Sequence, residues 1–380
     1  MFEKIVSFIK NYYGNPDGVI QLHEPRFVGN DRKYVLDAID STYVSSVGKY
    51  VDRFEEMIRD YTSTKFAIAT VNGTAALHMS LLLAGVKKDE LVITQPLSFV
   101  ATCNAISYVG ADPLFVDVDM HTLGLSANKL EVFLKEKTEI KNGNCYHKKS
   151  NKKISACVPM HTFGHPVEID KIVELCNLYF IPVIEDAAES IGSKYKNKHT
   201  GTFGLLGVFS FNGNKTITTG GGGMIITNDV ALAKRAKHIT TTAKVPHAWN
   251  FFHDEVGFNF RLPNLNAALG CAQMENLPKF LENKRSLALA YQKFFGLINV
   301  EFVKEREGTV SNYWLNSIIL KNREERDQFL TYTNSHGVMT RPIWTLMNKL
   351  PMYQHCQSSS LETAHWLEDR VVNIPSTPRL

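Results

Sequence analysis

Several features that reveal a protein's class are missing from this 380-residue chain. Its six cysteines form no CxxC pair and no dense framework, which predicts reduced thiols and leaves zinc no obvious site. No apolar run reaches membrane-spanning length, and the N-terminus lacks the long apolar segment of a secretory signal. The net charge is only +4, so no strong positive field indicates nucleic-acid binding. These absences predict a soluble cytoplasmic protein without a metal site.

The pattern of apolar residues predicts an α/β protein. With 44% hydrophobic residues, the chain can bury a full core and is expected to form two domains. Short apolar runs alternate with helical patterns, which is typical of a largely parallel sheet covered by helices on both faces. The predicted strands are 66–71, 91–97, 113–119, 154–160, 181–188, 207–211 and 223–227. In such sheets, ligands bind where the strand ends meet the following loops.

The alternation stops near residue 264, where a long helical pattern begins. We therefore predict an N-terminal segment (1–30), a large domain (31–263) and a smaller α+β C-terminal domain (264–380). The stretch 135–153 carries seven lysines and few apolar residues, which predicts an exposed loop or an extension of a helix end. It lacks arginine and the interleaved aromatic residues that stack on bases, so solvation is favoured over nucleic-acid binding.

One lysine and four glycines lie close together in FSFNGNKTITTGGGGMIIT (209–227). The glycines follow Lys215, whereas the glycines of a P-loop precede its lysine. The spacing also fails the dinucleotide-binding fingerprint GxGxxG. Gly220–Gly223 instead indicate a tight connection that leaves room beside Lys215 for backbone and ligand to approach closely. A plain glycine hairpin is the alternative interpretation.

Residues near other strand ends suit one planar, phosphorylated cofactor. Asp186 ends a buried strand and needs a partner there, such as a cationic ring nitrogen, or it is an ordinary buried acceptor or helix cap. Thr74 begins a helix whose free N–H groups suit a phosphate, or it is an ordinary N-cap. Phe99 could cover a planar ring or belong to the core. Together with Lys215, their order predicts pyridoxal 5′-phosphate, with lysine as Schiff-base former and aspartate as partner of the pyridine nitrogen.

Longer motifs resemble those of the DegT/DnrJ/EryC1/StrS family of sugar aminotransferases. The resemblance extends from QLHEPRFVGN, near residue 21, to VVNIPSTPRL at the C-terminus. The motifs in between are VNGTAALHMSL, GADPLFVDVD, VIEDAAESIGS, FSFNGNKTITTGGGGM, GFNFRLPNLNAALGCAQMENL and GVMTRPIWTLMNKLPMY. This resemblance implies the fold type I architecture of the aspartate aminotransferase superfamily, with a large α/β domain and a smaller α+β domain.

The resemblance also implies roles for the residues that face the cofactor ring. Lys215 would hold the cofactor and later move a proton between the donor carbon and the cofactor. Asp186 would pair with the pyridine nitrogen, and Phe99 would stack on the ring. Glu189 stands where the family often has glutamine or histidine near the 3′-hydroxyl group. A carboxylate at that position would need a proton or a cationic neighbour.

A second group is implied to bind the phosphate of the cofactor. Gly73, Thr74 and Ser210 would contact it from the same subunit. Asn259 would reach it from a partner subunit. The resemblance therefore implies an obligate homodimer with each active site at the subunit interface.

The resemblance implies an amino donor and an acceptor as well. The family's usual donor is L-glutamate. NGNK followed by TTGGGG resembles the branch of the bacillosamine and legionaminic acid pathways, which implies UDP-2-acetamido-2,6-dideoxy-4-ketohexose as acceptor. A GDP-linked or dTDP-linked keto sugar, including amination at C3, and a non-catalytic regulatory protein on the same fold stay open. Lys215 argues against the dehydratases of the family, which have histidine there, and Gly221 replaces a common glutamate with unknown effect on sugar choice.

Overall fold

The structure, a computed structural model, describes residues 1–379. Its helices are α1 (Phe2–Tyr12), α2 (Asp31–Asp40), α3 (Lys49–Thr62), α4 (Gly73–Leu83), α5 (Val100–Tyr108), α6 (Ala127–Lys137), α7 (Ile169–Leu178), α8 (Val230–Thr240), α9 (Asn264–Leu297), α10 (Arg323–Ser335) and α11 (Glu362–Glu368). Its strands are β1 (Phe66–Thr70), β2 (Leu91–Thr94), β3 (Asp112–Phe115), β4 (Thr138–Lys141), β5 (Asn144–His147), β6 (Lys153–Val158), β7 (Ile184–Asp186), β8 (Lys194–Tyr195), β9 (Lys198–His199), β10 (Leu206–Ser210), β11 (Gly223–Thr227), β12 (Glu301–Phe302), β13 (Thr309–Val310), β14 (Asn316–Ile319), β15 (Arg341–Pro342) and β16 (Val371–Ile374).

The central sheet has two parts that meet at strands β6 and β7. The strand orders are β3-β2-β6-β5-β4 and β7-β10-β11-β1. Isolated parallel bridges from Cys157 to Val183 and from Met160 to Asp186 connect the two parts. Strands β2, β10 and β11 are buried along their whole length, as expected for apolar strands covered on both faces. The predicted α/β class and all seven predicted strands are therefore confirmed.

The central sheet departs from the parallel pattern at the β4–β5 hairpin and at β11. This strand runs antiparallel to both of its neighbours, β1 and β10, whereas the pairs β2–β3, β2–β6 and β7–β10 are parallel. β10 and β11 are joined by residues 211–222, which include Lys215 and three of the four glycines. The antiparallel turn therefore brings the lysine back to the end of the sheet where β7 and β10 finish.

The lysine-rich stretch 135–153 differs from its prediction. Helix α6 ends at Lys137, so the helix extension is confirmed only for the first residues. The rest is a β-hairpin of β4 and β5, and β5 pairs with the edge of β6. Cys145 and His147 are buried, so alternate positions of β5 face inward while lysines stay outside. The prediction of an exposed loop is wrong because a few buried side chains anchor a mostly charged hairpin.

The C-terminal part has its own antiparallel sheet, in the order β12-β14-β16-β15. Helix α9 is 34 residues long and packs on α2 and α3 with one end. Its other half shares a core with α1, since Ile5, Ile9, Leu287, Tyr291 and Phe329 are buried in one cluster. The division of the chain at residues 30 and 263 stays a prediction.

The structure can also be compared with the expectations about membrane-spanning segments and cysteine pairing. Within residues 1–379, no helix is both long and apolar enough to cross a membrane. The six cysteines are unpaired, and five of them are buried.

Candidate active site

A cavity of about 330 Å³ lies at the ends of β7 and β10, beside the N-terminus of α4. The side chains and backbone that line it come from seven separate segments: Asn72, Gly73, Thr74, Leu77, Phe99, Ala101, Thr102, Met160, Asp186, Ala188, Glu189, Ser210, Asn212, Asn214, Lys215, Trp314 and Trp344. Seven of the eight residues predicted for the site are among them. The tertiary structure therefore brings together groups that are spread over most of the sequence.

The N-terminus of α4 forms one wall of the cavity. The N-cap is Asn72, whose side chain accepts a hydrogen bond from the N–H of Ala75, so the alternative of Thr74 as N-cap is wrong. A Cβ atom at position 73 would lie 2.8 Å from the Cβ of Ser210, so Gly73 permits the close approach of helix and strand. The first N–H groups of a helix lack intrahelical acceptors and carry the positive end of its dipole. With the hydroxyl groups of Thr74 and Ser210, this wall fits a phosphate.

Asp186 lies at the end of β7 and is 2% exposed. One carboxylate oxygen accepts a hydrogen bond from Thr102 Oγ1 at 2.7 Å, and the other accepts from the N–H of Ala188 at 3.1 Å. Burial raises the pKa of Asp186 above its ordinary value, while both hydrogen bonds and the charge of Lys215 oppose that shift. A ring nitrogen that carries a proton would stabilise the ionised form. The site therefore fits a cationic heteroaromatic ring against Asp186.

Lys215 and Glu189 form an ion pair in the cavity. Lys215 Nζ lies 3.2 Å from Glu189 Oε1, and the two side chains are 11% and 1% exposed. Glu189 Oε2 accepts a hydrogen bond from the N–H of Phe163 at 2.9 Å. Burial raises the pKa of Glu189 to about 7, against the opposing effects of the Lys215 charge and of that hydrogen bond. The cationic neighbour that a carboxylate needs at position 189 is therefore Lys215.

Aromatic side chains close the cavity around the lysine. Lys215 Nζ lies 3.8 Å from the centroid of the Trp314 ring, and Trp314 Nε1 donates a hydrogen bond to the carbonyl oxygen of Asn214 at 2.7 Å. Phe99 is 48% exposed at the cavity, so the alternative of a core phenylalanine is wrong. Trp344 lies 6.3 Å from Phe99, centroid to centroid. These rings offer apolar surfaces against which a planar group can pack.

Four residues at or beside this cavity were missed by sequence reasoning. Trp344 lies inside a family motif and Thr102 follows Phe99, so both had a weak signal. Trp314 had none. Nor did Asn312, whose side chain donates to the carbonyl oxygens of Glu189 and Ile191, each at 2.9 Å, and accepts from the N–H of Trp314 at 2.8 Å. Asn312 thereby ties the C-terminal part to the turn that carries Glu189.

The glycine run lies outside the lining of this cavity and packs against neighbouring backbone at Gly223. None of Gly220–Gly223 lines the cavity. Gly220 adopts a φ of +80°, and a Cβ at Gly223 would lie 2.4 Å from the carbonyl oxygen of Asn72. At Gly221, the nearest atom to an added Cβ is 3.7 Å away. The predicted close approach of backbone is therefore confirmed at Gly223, which permits close packing of β11 against the start of α4, and the predicted approach of a ligand stays a prediction.

Asn259 is the predicted site residue that lies elsewhere. It is exposed, pairs with Thr241 in an isolated bridge and does not line the cavity of its own subunit. Its predicted contact with a partner's phosphate stays a prediction. The segment before it, between Thr240 and Gly257, carries three highly exposed apolar rings: Trp249, Phe251 and Phe252, which are 77%, 81% and 62% exposed.

Comparisons with known proteins agree with this geometry. Residues 26–380 match the model of the DegT/DnrJ/EryC1/StrS aminotransferase family. The chain is 36% identical over 363 residues to a GDP-perosamine synthase of Escherichia coli O157:H7, covering 95% of this chain and 94% of that protein. It is 34% identical over 365 residues to a GDP-perosamine synthase of Vibrio cholerae, covering 95% of each.

A third relative acts on a different nucleotide sugar. The UDP-4-amino-4,6-dideoxy-N-acetyl-beta-L-altrosamine transaminase of Campylobacter jejuni is 34% identical over 249 residues, covering 65% of this chain and 62% of that protein. Among solved structures, the aminotransferase TlmJ from Streptoalloteichus hindustanus superposes with a TM-score of 0.85 at 24% identity, covering 94% of each chain. That likeness confirms the fold.

The family match, the relatives and the cavity support one conclusion. The predicted resemblance and the predicted cofactor, pyridoxal 5′-phosphate, are confirmed by the family and its members. The chain belongs to the DegT/DnrJ/EryC1/StrS aminotransferase family and is a pyridoxal 5′-phosphate-dependent sugar aminotransferase of nucleotide-sugar metabolism.

Proposed function

We propose that this enzyme transfers the amino group of L-glutamate to the keto carbon of a GDP-linked 4-keto-6-deoxy sugar. The observation that carries the proposal is the position of Lys215. It is the one cationic side chain among the residues that line the cavity, and it lies between a buried carboxylate and an aromatic face. A lysine amine so placed can form a Schiff base and then act as a general base or acid.

In this proposal, each group of residues around the cavity has its own role. Bound pyridoxal 5′-phosphate supplies an electron sink and carries the amino group between donor and acceptor. The N-terminus of α4, Thr74 and Ser210 would hold its phosphate, and Asp186 would keep its ring nitrogen protonated. Phe99 would stack on the cofactor ring, and Trp344 beside it would help to exclude water. Lys215 would move the proton that leaves the donor carbon.

The nucleotide of the acceptor sugar differs between this proposal and the first expectation from the sequence. A UDP-linked sugar was the first expectation and a GDP-linked sugar the alternative. The two relatives that match over 95% of this chain are GDP-perosamine synthases, whereas the UDP-sugar transaminase matches over 65%. We therefore place the GDP-linked sugar first. The UDP-linked sugar is the second candidate, favoured by the 34% identity of that transaminase.

A two-step assay separates the candidates. The purified enzyme, loaded with pyridoxal 5′-phosphate, is first treated with L-glutamate until its visible absorbance is lost, and then receives one keto sugar. We expect the GDP-linked 4-keto-6-deoxy sugar to restore the absorbance within one turnover. Restoration by the UDP-linked sugar alone would establish the second candidate. Failure of L-glutamate to bleach the absorbance would contradict aminotransfer from this donor.

Borohydride reduction followed by peptide mapping tests the assignment of the lysine. The cofactor should be fixed to the peptide that contains Lys215. A cofactor fixed to another lysine would refute the role proposed for Lys215.

We also propose that the enzyme works as a homodimer in the cytoplasm. The exposed rings Trp249, Phe251 and Phe252 precede Asn259 and would be covered by the partner subunit. Mixing inactive Lys215→Ala and Asn259→Ala subunits tests this. If Asn259 serves the partner's site, each mixed dimer has one intact site, and about one quarter of wild-type activity should return. No recovery after confirmed subunit exchange would show that the sites are not shared.

A further inference from the structure

The cavity carries an unbalanced set of charges. Asp186 and Glu189 are each 2% exposed, and Lys215 is the one cationic residue in the lining. While Lys215 is an ammonium, it compensates one of the two carboxylates. When its nitrogen is a neutral nucleophile or base, both carboxylates would stay buried without a cation from the protein, which is strongly unfavourable. A proton taken up by one of the two carboxyl groups would remove this cost, and in the loaded enzyme the protonated ring nitrogen proposed to lie against Asp186 would compensate that carboxylate and leave Glu189.

The hydrogen bonds indicate which carboxyl group takes the proton. Both oxygens of Asp186 accept hydrogen bonds from fixed donors, namely Thr102 and the N–H of Ala188, and these favour its ionised form. Glu189 has one such donor, at Oε2. Among the residues that the structure describes, Oε1 has the amine of Lys215 as its one hydrogen-bond partner. Oε1 is therefore the free acceptor site closest to the reacting nitrogen.

Glu189 is also held firmly in this position. Its backbone carbonyl accepts a hydrogen bond from Asn312 Nδ2, and Oε2 is fixed by the N–H of Phe163. The charged groups that act on its carboxyl are Lys215, which lowers the pKa, and Asp186, which raises it; burial is the largest effect. Behind Asp186, His161 Nε2 is paired with Glu185, so this histidine is engaged elsewhere. The environments of Asp186 and Glu189 thus assign them different tasks.

We propose that Glu189 Oε1 stores the proton of Lys215 whenever the lysine acts as a nucleophile or base, and returns it afterwards. The N–H bond at Nζ breaks and an O–H bond forms at Oε1, so an ammonium–carboxylate pair becomes an amine and a carboxylic acid. Net charge is unchanged and no other reactant is needed. The inference rests on the proposed role of Lys215. It makes Glu189 a catalytic residue, because it touches the reacting nitrogen.

The first test measures the reactivity of Lys215 in the cofactor-free protein. Reductive methylation with limiting formaldehyde and cyanoborohydride is followed by mass spectrometry of the Lys215 peptide. Glu189→Gln removes the charge but keeps the shape, so the amine loses the partner that holds it as an ammonium. We expect labelling at about pH 8 to be at least about fivefold faster than in the wild type. Equal or slower labelling would overturn the proposal.

Thr102→Val is the matched control for this measurement. It removes a hydrogen bond to Asp186 in the same cavity and leaves the Glu189–Lys215 pair intact. Its labelling should stay within about twofold of the wild type. A fivefold increase in Thr102→Val as well would show that general loosening of the cavity explains the effect, and would also overturn the proposal.

The second test uses the loaded enzyme, and its first measurement needs the wild type alone. The visible absorbance of the lysine-bound cofactor is titrated from about pH 5.5 to 8.5 in the wild type. We expect a spectral transition centred within about one unit of pH 7, because a proton next to the bound nitrogen changes position. A spectrum that does not change over this range would contradict proton storage. In Glu189→Gln the transition should disappear.

The two proposals fail in different ways. If borohydride fixes the cofactor to a residue other than Lys215, the proposed function of that lysine fails. If the cofactor is fixed to Lys215 but labelling and spectra do not respond to Glu189→Gln, the storage of the proton on Glu189 fails alone.

Discussion

Lys215 and Lys284 are both largely shielded from solvent, with side chains that are 11% exposed at Lys215 and fully buried at Lys284, and their surroundings differ. Lys215 faces a cavity, and its amine contacts a carboxylate and an aromatic ring. Lys284 is 0% exposed on α9, and its amine contacts His23 Nε2 at 2.9 Å and the carbonyl oxygens of Trp314 and Ser376 at 3.2 and 2.7 Å. The partners of Lys284 are neutral groups and fill its surroundings, so burial alone does not identify a reactive lysine.

Charge explains the difference between the two sites. Burial lowers the pKa of Lys284 well below its ordinary value, and burial also lowers the pKa of His23. A neutral amine can donate to both carbonyl oxygens and accept a hydrogen bond from His23 Nε2–H, which satisfies all three contacts. Lys215 has a carboxylate partner and free space instead. The comparison therefore distinguishes Lys284, whose amine stabilises the fold, from Lys215, whose amine is available for reaction.

The largest expected effect is the loss of turnover in Lys215→Ala. Removal of the nucleophile should lower kcat by at least about a thousandfold, while the free energy of unfolding falls by about 1–2 kcal/mol, because Glu189 loses its cation and must take a proton. Steady-state kinetics and urea denaturation measure the two quantities. Turnover near the wild-type rate would show that Lys215 is not the reactive lysine.

Lys284→Met should show the reverse pattern. The methionine fills similar space but leaves two buried carbonyl oxygens and the imidazole of His23 without a partner, so unfolding should become easier by roughly 3 kcal/mol. Urea denaturation of the cofactor-free protein measures this. Turnover per folded molecule should stay within about threefold of the wild type. A collapse of turnover without a loss of stability would show that Lys284 takes part in the chemistry.

The pH dependence of stability offers a smaller and more specific test. Burial raises the pKa of Glu189 from 4.5 to about 7, so the folded protein binds more protons than the unfolded chain between these values. The stabilisation from this group is complete below about pH 4.5 and is lost as pH rises through about 7. In cofactor-free protein, the wild type should lose on the order of 2–3 kcal/mol relative to Glu189→Gln across this window. Parallel curves for the two proteins would contradict the raised pKa.

The smallest expected effect concerns the glycines that follow Lys215. At Gly221 there is space for a side chain, and no positive φ is required, so Gly221→Ala should change the unfolding free energy by less than about 0.5 kcal/mol. The matched variant Gly223→Ala places a Cβ against the carbonyl oxygen of Asn72 and should lose at least about 2 kcal/mol. Thermal or urea unfolding would distinguish them. Equal effects would show that the loop adapts to either side chain.

Much of the fold could be predicted because its signals are local. The seven strands and the helices that start near residues 74, 100 and 264 follow from apolar periodicity. The hairpin at 138–147 was missed because the two anchoring side chains, Cys145 and His147, stand among lysines that obscure the alternation. The antiparallel direction of β11 agrees with the alternative of a glycine hairpin and not with the largely parallel pattern, since direction depends on how strands pair and not on their composition.

The site was predictable in its residue types and in most of its positions. Lys215, Asp186 and Phe99 follow strands, and strand ends of an α/β sheet converge on one edge. Trp314 and Asn312 could not be found this way, because they come from the C-terminal part and reach the cavity through packing alone. The glycine run was predicted to admit both backbone and ligand, because a sequence does not show which of the two a glycine faces; at Gly223 it is the backbone of Asn72.

The sequence by itself determined the alternation of strands and helices, the candidate lysine and its aspartate, and the motifs of the family, because these depend on residue type and local order. Only the tertiary structure decided that Glu189 contacts Lys215, that Trp314 covers the amine and that Gly223 serves packing. The physical reason is that burial and charge partners are properties of groups brought together from distant positions. A lysine becomes chemically distinct through those neighbours.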